Sequence, residues 1–162
     1  MLKNKIQIYL NIILFISFVS IISAFFIEYI LGHQPCNLCL MQRIPYVLTI
    51  FLIITKLLFK KKEQFIILLL IITFSFSFIL SFYHFGIEQG FFEESSVCGL
   101  KNISDIITKE EILNQLKDKI VSCKDVTFRI FGFSLTSFNM VISLVLLILL
   151  TKIFVNYEKL KK

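Results

Sequence analysis

Four long apolar runs constrain this chain more than anything else in it. Residues 6–27 carry no charge, 44–59 carry one lysine, and 65–83 and 130–151 carry none. The first run is 22 residues long, enough for a helix to cross about 30 Å of hydrocarbon. Hydrophobic residues make up 57% of the chain, charged residues 17%, and mean hydropathy is +0.84. A water-facing surface could not accommodate that composition. The expected fold is all-α: an integral membrane four-helix bundle in a single domain over 1–162, with spans at 6–27, 44–59, 65–83 and 130–151.

Lys3 and Lys5 ahead of the first run resemble a signal peptide, but the run is long for one. Ser23-Ala24-Phe25 is also a poor cleavage site, so an uncleaved span is expected. Pro45 suits the first turn of the second span, where its missing N–H costs nothing. Lys56 is expected to snorkel to the interface, and 60–64 to form a tight basic turn. Residues 28–43 and 84–129 form the two loops on the other side. In the longer loop Thr108-Lys109-Glu110-Glu111 reads as a capping box, and Ile112, Leu113, Leu116 and Ile120 share one helical face. A short amphipathic helix is expected there.

Charge sets the orientation. With both termini and the 60–64 turn inside, the inner side holds 10 lysines against two acids, Glu63 and Glu158. The outer side holds seven basic residues against nine acids. This is a positive-inside pattern with both termini cytoplasmic. It also explains the net charge of +6 without nucleic acid, because the basic residues flank apolar runs and form no stripe. All four cysteines then face outward, Cys36 and Cys39 in the first loop and Cys98 and Cys123 in the second. Disulfides persist in that space.

Cys36 and Cys39 stand at Cys-x-x-Cys spacing, which lets a pair cycle between dithiol and disulfide. Four cysteines allow three connectivities. Two structural staples are one alternative, although a two-residue loop removes little unfolded-state entropy. A zinc site of four thiolates is another, but Cys98 and Cys123 lack paired spacing; no metal is expected. Haem attachment needs a histidine where Leu40 stands. Redox exchange is the favoured reading. Cys39 precedes a helix N-terminus and Arg43 follows one turn later, two sources of thiolate stabilisation. A site at the lipid boundary suits a lipid-soluble electron acceptor, so Arg43 is a candidate to hydrogen-bond a membrane quinone. His84, at similar depth, is a second candidate for that site. Glu88 is expected to be a solvated carboxylate, and His33 and Glu28 to fill the interface.

Gln34-Pro35-Cys36-x-x-Cys39-Leu40-x-Gln42-Arg43-x-Pro45-Tyr46 and Tyr83-His84-Phe85-Gly86-Ile87-Glu88 resemble the disulfide bond formation protein B (DsbB) family. Cys123, the run Phe128-Arg129-Ile130-Phe131-Gly132-Phe133-Ser134-Leu135 and Asn139 extend the resemblance to nearly the whole chain. It implies a multi-pass bacterial inner-membrane oxidase whose active face is periplasmic. Such an enzyme regenerates a thioredoxin-fold, DsbA-like thiol oxidase and passes electrons to ubiquinone or menaquinone. By position, a Cys98–Cys123 disulfide would receive electrons, with Cys98 forming the mixed disulfide. Cys123 would then attack Cys36 and release Cys39 as the thiolate that meets the quinone. Arg43 would hold the quinone, with His84 nearby. The family often has a tryptophan shortly after the last cysteine; this chain has none, and Phe128 takes that place.

Two rivals remain at this stage. Enzymes of the vitamin K epoxide reductase type place the active pair before a later helix. A non-catalytic membrane scaffold or assembly protein would carry the same cysteines as structural disulfides.

Overall fold

In lipid no water satisfies exposed backbone groups, so each crossing segment must close its own hydrogen bonds as a helix. The computed structural model describes residues 2–58, 63–94, 98, 122–124, 128–130 and 132–161. Within them run α1 (Leu2–Tyr29), α2 (Asn37–Met41), α3 (Arg43–Leu58), α4 (Glu63–Glu88) and α5 (Leu135–Lys161). A two-residue antiparallel hairpin, β1 (Arg129–Ile130) with β2 (Phe133–Ser134), precedes α5. The expected capping box and amphipathic helix lie outside the described residues.

Four segments are long and apolar enough to cross a membrane: Ile6–Tyr29, Asn37–Leu58, Glu63–Glu88 and Leu135–Tyr157. The protein is an all-α membrane bundle. One core runs through it, built from Leu10 and Ile13 of α1, Ile53 of α3, Leu70 and Phe74 of α4, and Leu146 and Leu150 of α5. The outward faces carry Phe15, Phe51, Ile79 and Val141, all exposed and suited to acyl chains.

Most polar side chains inside the bundle are paired, although the fully buried Ser17 hydroxyl has no partner among the described residues. Ser77 and Ser143 hydroxyls meet at 2.9 Å across α4 and α5, and the Asn139 amide donates to Ser81 Oγ at 2.7 Å. Tyr46 of α3 donates its hydroxyl to Asn139 Oδ1. Ser77, Ser81 and Ser143 are fully buried, and their small size lets α4 and α5 approach closely. Lys56 departs from expectation. Its ammonium turns inward, donating to Gln7 Oε1 at 2.5 Å and standing 3.4 Å from Glu63 Oε1. Partners from two neighbouring helices satisfy it, so it does not reach out to the interface.

At the cysteine-bearing end the helix bounds differ from the expected spans. α4 continues to Glu88, so His84 and Glu88 are helical and buried where a loop was expected to begin. It closes in a Schellman turn: Phe91 N–H donates to Gly86 O at 2.8 Å, and Gly90 takes φ +78°. α5 starts only at Leu135, because Gly132 at φ +86° turns the chain and Ser134 Oγ accepts from Ser137 N–H.

Packing rather than hydrogen bonding should dominate the α4–α5 seam. Ser77→Leu is expected to destabilise the protein in detergent by about 1–3 kcal/mol, and Ser77→Ala by about 0.6 kcal/mol. Denaturant titration followed by circular dichroism measures both. Equal losses would contradict close packing as the cause.

Candidate functional site

Four cysteines, the Arg43–Glu28 pair and a buried histidine beside Glu88 gather at one end of the bundle. Pro35 disfavours helix before it, and the chain runs extended through Cys36 (φ −73°, ψ 167°), the N-cap of α2. There the Cys36 sulfur takes the place an N-cap oxygen usually holds, accepting from Cys39 N–H at 3.3 Å. One helical turn brings Cys39 Sγ to 2.8 Å from Cys36 Sγ. Both are thiols, and less than an ångström separates them from a bonded distance of about 2.05 Å. Two thiolates on one zinc, each at about 2.3 Å, stand nearer 3.8 Å apart, so the spacing reads as a redox pair.

Cys36 is buried between its partner and α4. His84 Nε2 lies 3.6 Å from Cys36 Sγ on the other side. Gln42, in the turn between α2 and α3, reaches His84 Nδ1 at 3.1 Å. Thr136, in the first turn of α5, stands 3.3 Å from the same nitrogen and donates its hydroxyl to Glu88 Oε1 at 2.6 Å. Glu88 is thus not solvated as expected. Its side chain is 5% exposed, Oε1 is 3.8 Å from His84 Nε2, and Oε2 has no partner among the described residues.

Glu28 also differs from expectation, through its contact with Arg43. The guanidinium donates to Glu28 Oε2 at 2.5 Å and lies over the Phe25 ring, 5.1 Å from its centroid. Glu28 therefore anchors Arg43 to α1 rather than merely filling the interface. The helix N-terminus and the neighbouring thiol serve Cys36, not Cys39, contrary to the sequence expectation. The hydrogen bond with Cys39 is the largest effect on Cys36 and holds its thiol down at about 4; burial opposes it, and His84 and the Cys39 N–H add to the lowering. His33 tilts against Phe128, ring centroids 5.1 Å apart.

Cys98 and Cys123 are joined as a disulfide, Cα atoms 5.5 Å apart. Both are buried, and they pack in one cluster with Cys36, Leu38 and Ile87. Glu94 fixes the segment around Cys123 by accepting from the Ser122 hydroxyl and from Lys124 N–H, the latter at 2.9 Å. A cavity of about 370 Å³ joins these parts. Cys36, Cys39, Arg43, His84, Glu88 and Cys123 line it, with α1 and α5 supplying apolar wall at Ile27 and Ile142.

All six sequence-selected residues are described, and five of them line this cavity; Cys98 joins it only through its bond to Cys123. Gln42, Thr136 and the Glu28 anchor were missed. Gln42 sits one helical turn after Cys39, a spacing that could have found it; nothing in the sequence marks Thr136.

A thiol held at about 4 is ionised throughout the neutral range, whereas an ordinary cysteine titrates near 8.5. Alkylation of Cys36 in the reduced protein should therefore be nearly flat from about pH 6 to about pH 8. Site-resolved mass spectrometry reads the rate. A tenfold rise per pH unit across that window would contradict the hydrogen-bonded thiolate.

The family model described as disulfide bond formation protein DsbB matches residues 7–153. A Rickettsia prowazekii (strain Madrid E) protein described as uncharacterized is 30% identical over 150 residues, 91% of this chain and 87% of its own length. No solved structure matches the chain. The matched region carries all four cysteines, α2 to α4 and most of α1 and α5, and the chain belongs to the DsbB family of disulfide bond formation proteins.

Proposed function

We propose that the chain is a thiol:quinone oxidoreductase that reoxidises a DsbA-like, thioredoxin-fold dithiol carrier and delivers the electrons to ubiquinone or menaquinone. Family membership ties it to disulfide-bond formation and to a multi-pass membrane setting. Cytoplasmic termini and an outward active face are read from the charge pattern, the bacterial inner membrane and the periplasm from the family, and a single domain over 1–162 belongs to the same reading. The observation that carries it is the shared cavity: the Cys98–Cys123 disulfide and the Cys36–Cys39 dithiol meet at one end of the bundle.

Electrons enter when a carrier thiolate attacks Cys98, forming a mixed disulfide and freeing Cys123. Cys123 then turns on a Cys36–Cys39 disulfide, bonds to Cys36 and releases Cys39; the second carrier thiol resolves the mixed disulfide and frees Cys98, which attacks Cys123, re-forms Cys98–Cys123 and releases Cys36. Each exchange breaks one S–S bond and makes one, so two electrons move inward per carrier. The end state has Cys98–Cys123 bonded and the first pair reduced, the arrangement the structure holds.

The cavity fits a quinone head: its volume lies in the range of small-molecule sites, with apolar walls and a few polar groups. Arg43 and His84 would hold the ring oxygens. A bound quinone supplies a sink for two electrons and two protons. Cys39 is the less buried of the pair and is read as the thiol that faces that sink. Its proton is shared with the Cys36 sulfur at 2.8 Å, and His84 Nε2, 3.6 Å beyond, donates to that sulfur. Glu28 keeps Arg43 at the cavity wall, so its charge stays where negative charge would develop.

Trapping tests this reading. In Cys123→Ala, Cys98 has no internal partner and should accumulate a mixed disulfide, separable by non-reducing electrophoresis and identified by mass spectrometry. A thioredoxin-fold carrier is expected. Only intermolecular Cys98 dimers, or no adduct at all, would contradict it.

A further inference from the structure

Within the proposed exchange reaction, the protons do not balance on the sulfurs alone. Cys36 is held as a thiolate and has already lost its proton. When Cys36 and Cys39 join, one S–S bond forms, two electrons leave, and the one proton released is that of Cys39. The two-electron sink described above needs two protons. The second must come from another group at this end of the bundle.

The Gln42 amide nitrogen faces His84 Nδ1 at 3.1 Å, so Nδ1 accepts and the ring proton sits on Nε2. That single N–H has two neighbours, Cys36 Sγ at 3.6 Å and Glu88 Oε1 at 3.8 Å. One donor cannot serve a thiolate and a carboxylate together. While Cys36 is a thiolate the N–H is needed there, and Glu88 keeps the Thr136 hydroxyl, which donates to Oε1 at 2.6 Å. Oε2 is buried and has no partner among the described residues. A side chain 5% exposed, with one donor for two oxygens, is poorly provided to hold a charge. It is well provided to hold a proton on Oε2, with Oε1 still accepting from Thr136.

We propose that Glu88 takes up a proton from water when the first cysteine pair is reduced and gives it up when the Cys36–Cys39 disulfide forms, supplying the second proton of the transfer. Glu88 lines the cavity read as the acceptor's site, so the proton is released beside that space. With the sulfur charge gone, the Nε2–H turns from Cys36 to Oε1 and steadies the carboxylate that remains. Two electrons and one proton come from the thiols, and one proton comes from Glu88. The ring stays neutral and serves the two anions in turn.

Few titratable or charged groups share this cavity with Glu88. α2 and its cap offer Cys36 and Cys39, and α4 offers His84. α3 brings Arg43, whose charge Glu28 of α1 matches, and Tyr46, whose hydroxyl donates to Asn139. α5 offers the neutral Thr136, and His33 lies against Phe128. Among the described residues, Glu88 is the one carboxyl on the cavity wall.

Equilibration with glutathione counts the protons without any quinone. The sample is the full-length protein in detergent, stripped of quinone, from about pH 6 to about pH 7.5, where glutathione keeps its thiol protons. Acid quenching, alkylation and mass spectrometry read the Cys36–Cys39 pair. Oxidising two glutathione molecules releases two protons. A protein pair that takes up both, on Cys39 and Glu88, gives an equilibrium constant that is flat with pH. Uptake on Cys39 alone makes reduction tenfold more favourable per pH unit. The wild type and His33→Gln should be flat, and Glu88→Gln should rise tenfold per unit. A tenfold rise in the wild type, a flat Glu88→Gln, or a slope appearing in His33→Gln overturns the proposal.

An infrared difference spectrum covers the case in which Glu88→Gln does not fold. On reduction the wild type should gain a carboxylic-acid C=O band that shifts in heavy water, and its absence overturns the proposal. The inference rests on the proposed function, yet the two fail separately. A one-proton slope with quinone reduction intact rejects this inference alone. A flat profile that Glu88→Gln abolishes, in a protein that reduces no quinone, rejects the enzyme reading and leaves the linked proton standing.

Discussion

The Cys36 sulfur is held on two sides, by the Cys39 N–H and thiol and by His84, and the rest of this end of the bundle serves that arrangement. A thiolate in a buried place needs donors, because water is not there to solvate it. Here they come from a five-residue helix too short to be stable alone. α2 is fixed because Leu38 packs into the cluster with both ends of the Cys98–Cys123 bond, and because Gln42 ties its C-terminal end to His84. The Cys36 sulfur is thereby set by tertiary contacts. Stabilising the thiolate stabilises the reduced form, which makes the corresponding disulfide more oxidising.

The membrane explains why the site lies where it does. Most side chains in the bundle interior are apolar or paired, as the Ser77–Ser143 contact and the Tyr46–Asn139–Ser81 chain illustrate. That polar chain begins at the cavity, where Tyr46 and Asn139 form part of the wall. Arg43, Glu28, His84 and Glu88 are spent at the mouth of the bundle. Arg43 and Glu28 are tolerated there because they pair with each other. Thiol chemistry from the polar side and an acceptor from the lipid side can meet only at such a border.

Much of this was legible in the residue pattern. Charge-free runs gave the helices, lysine counts gave an expected orientation, and Cys-x-x-Cys followed by Gln42-Arg43 and Pro45 marked the site. What the pattern hid has physical causes. Glu88 follows an apolar helix and looks like a solvated end; only the continuation of α4 through Gly86 and the arrival of Thr136 from α5 bury it. Lys56 reads as a snorkelling lysine until Gln7 and Glu63 are brought beside it. The allotment of the thiolate to Cys36 depended on which residue caps α2, a one-residue distinction that spacing alone does not make.

Electrons from the second pair of cysteines should leave the protein only through the first. Anaerobic titration of the fully reduced protein with quinone, following each cysteine by mass spectrometry, measures this most directly. The wild type should end with both disulfides formed. A variant carrying Cys36→Ser and Cys39→Ser should reduce no quinone and keep Cys98 and Cys123 as thiols. Oxidation of Cys98 and Cys123 by quinone in that variant would contradict the route through Cys36 and Cys39.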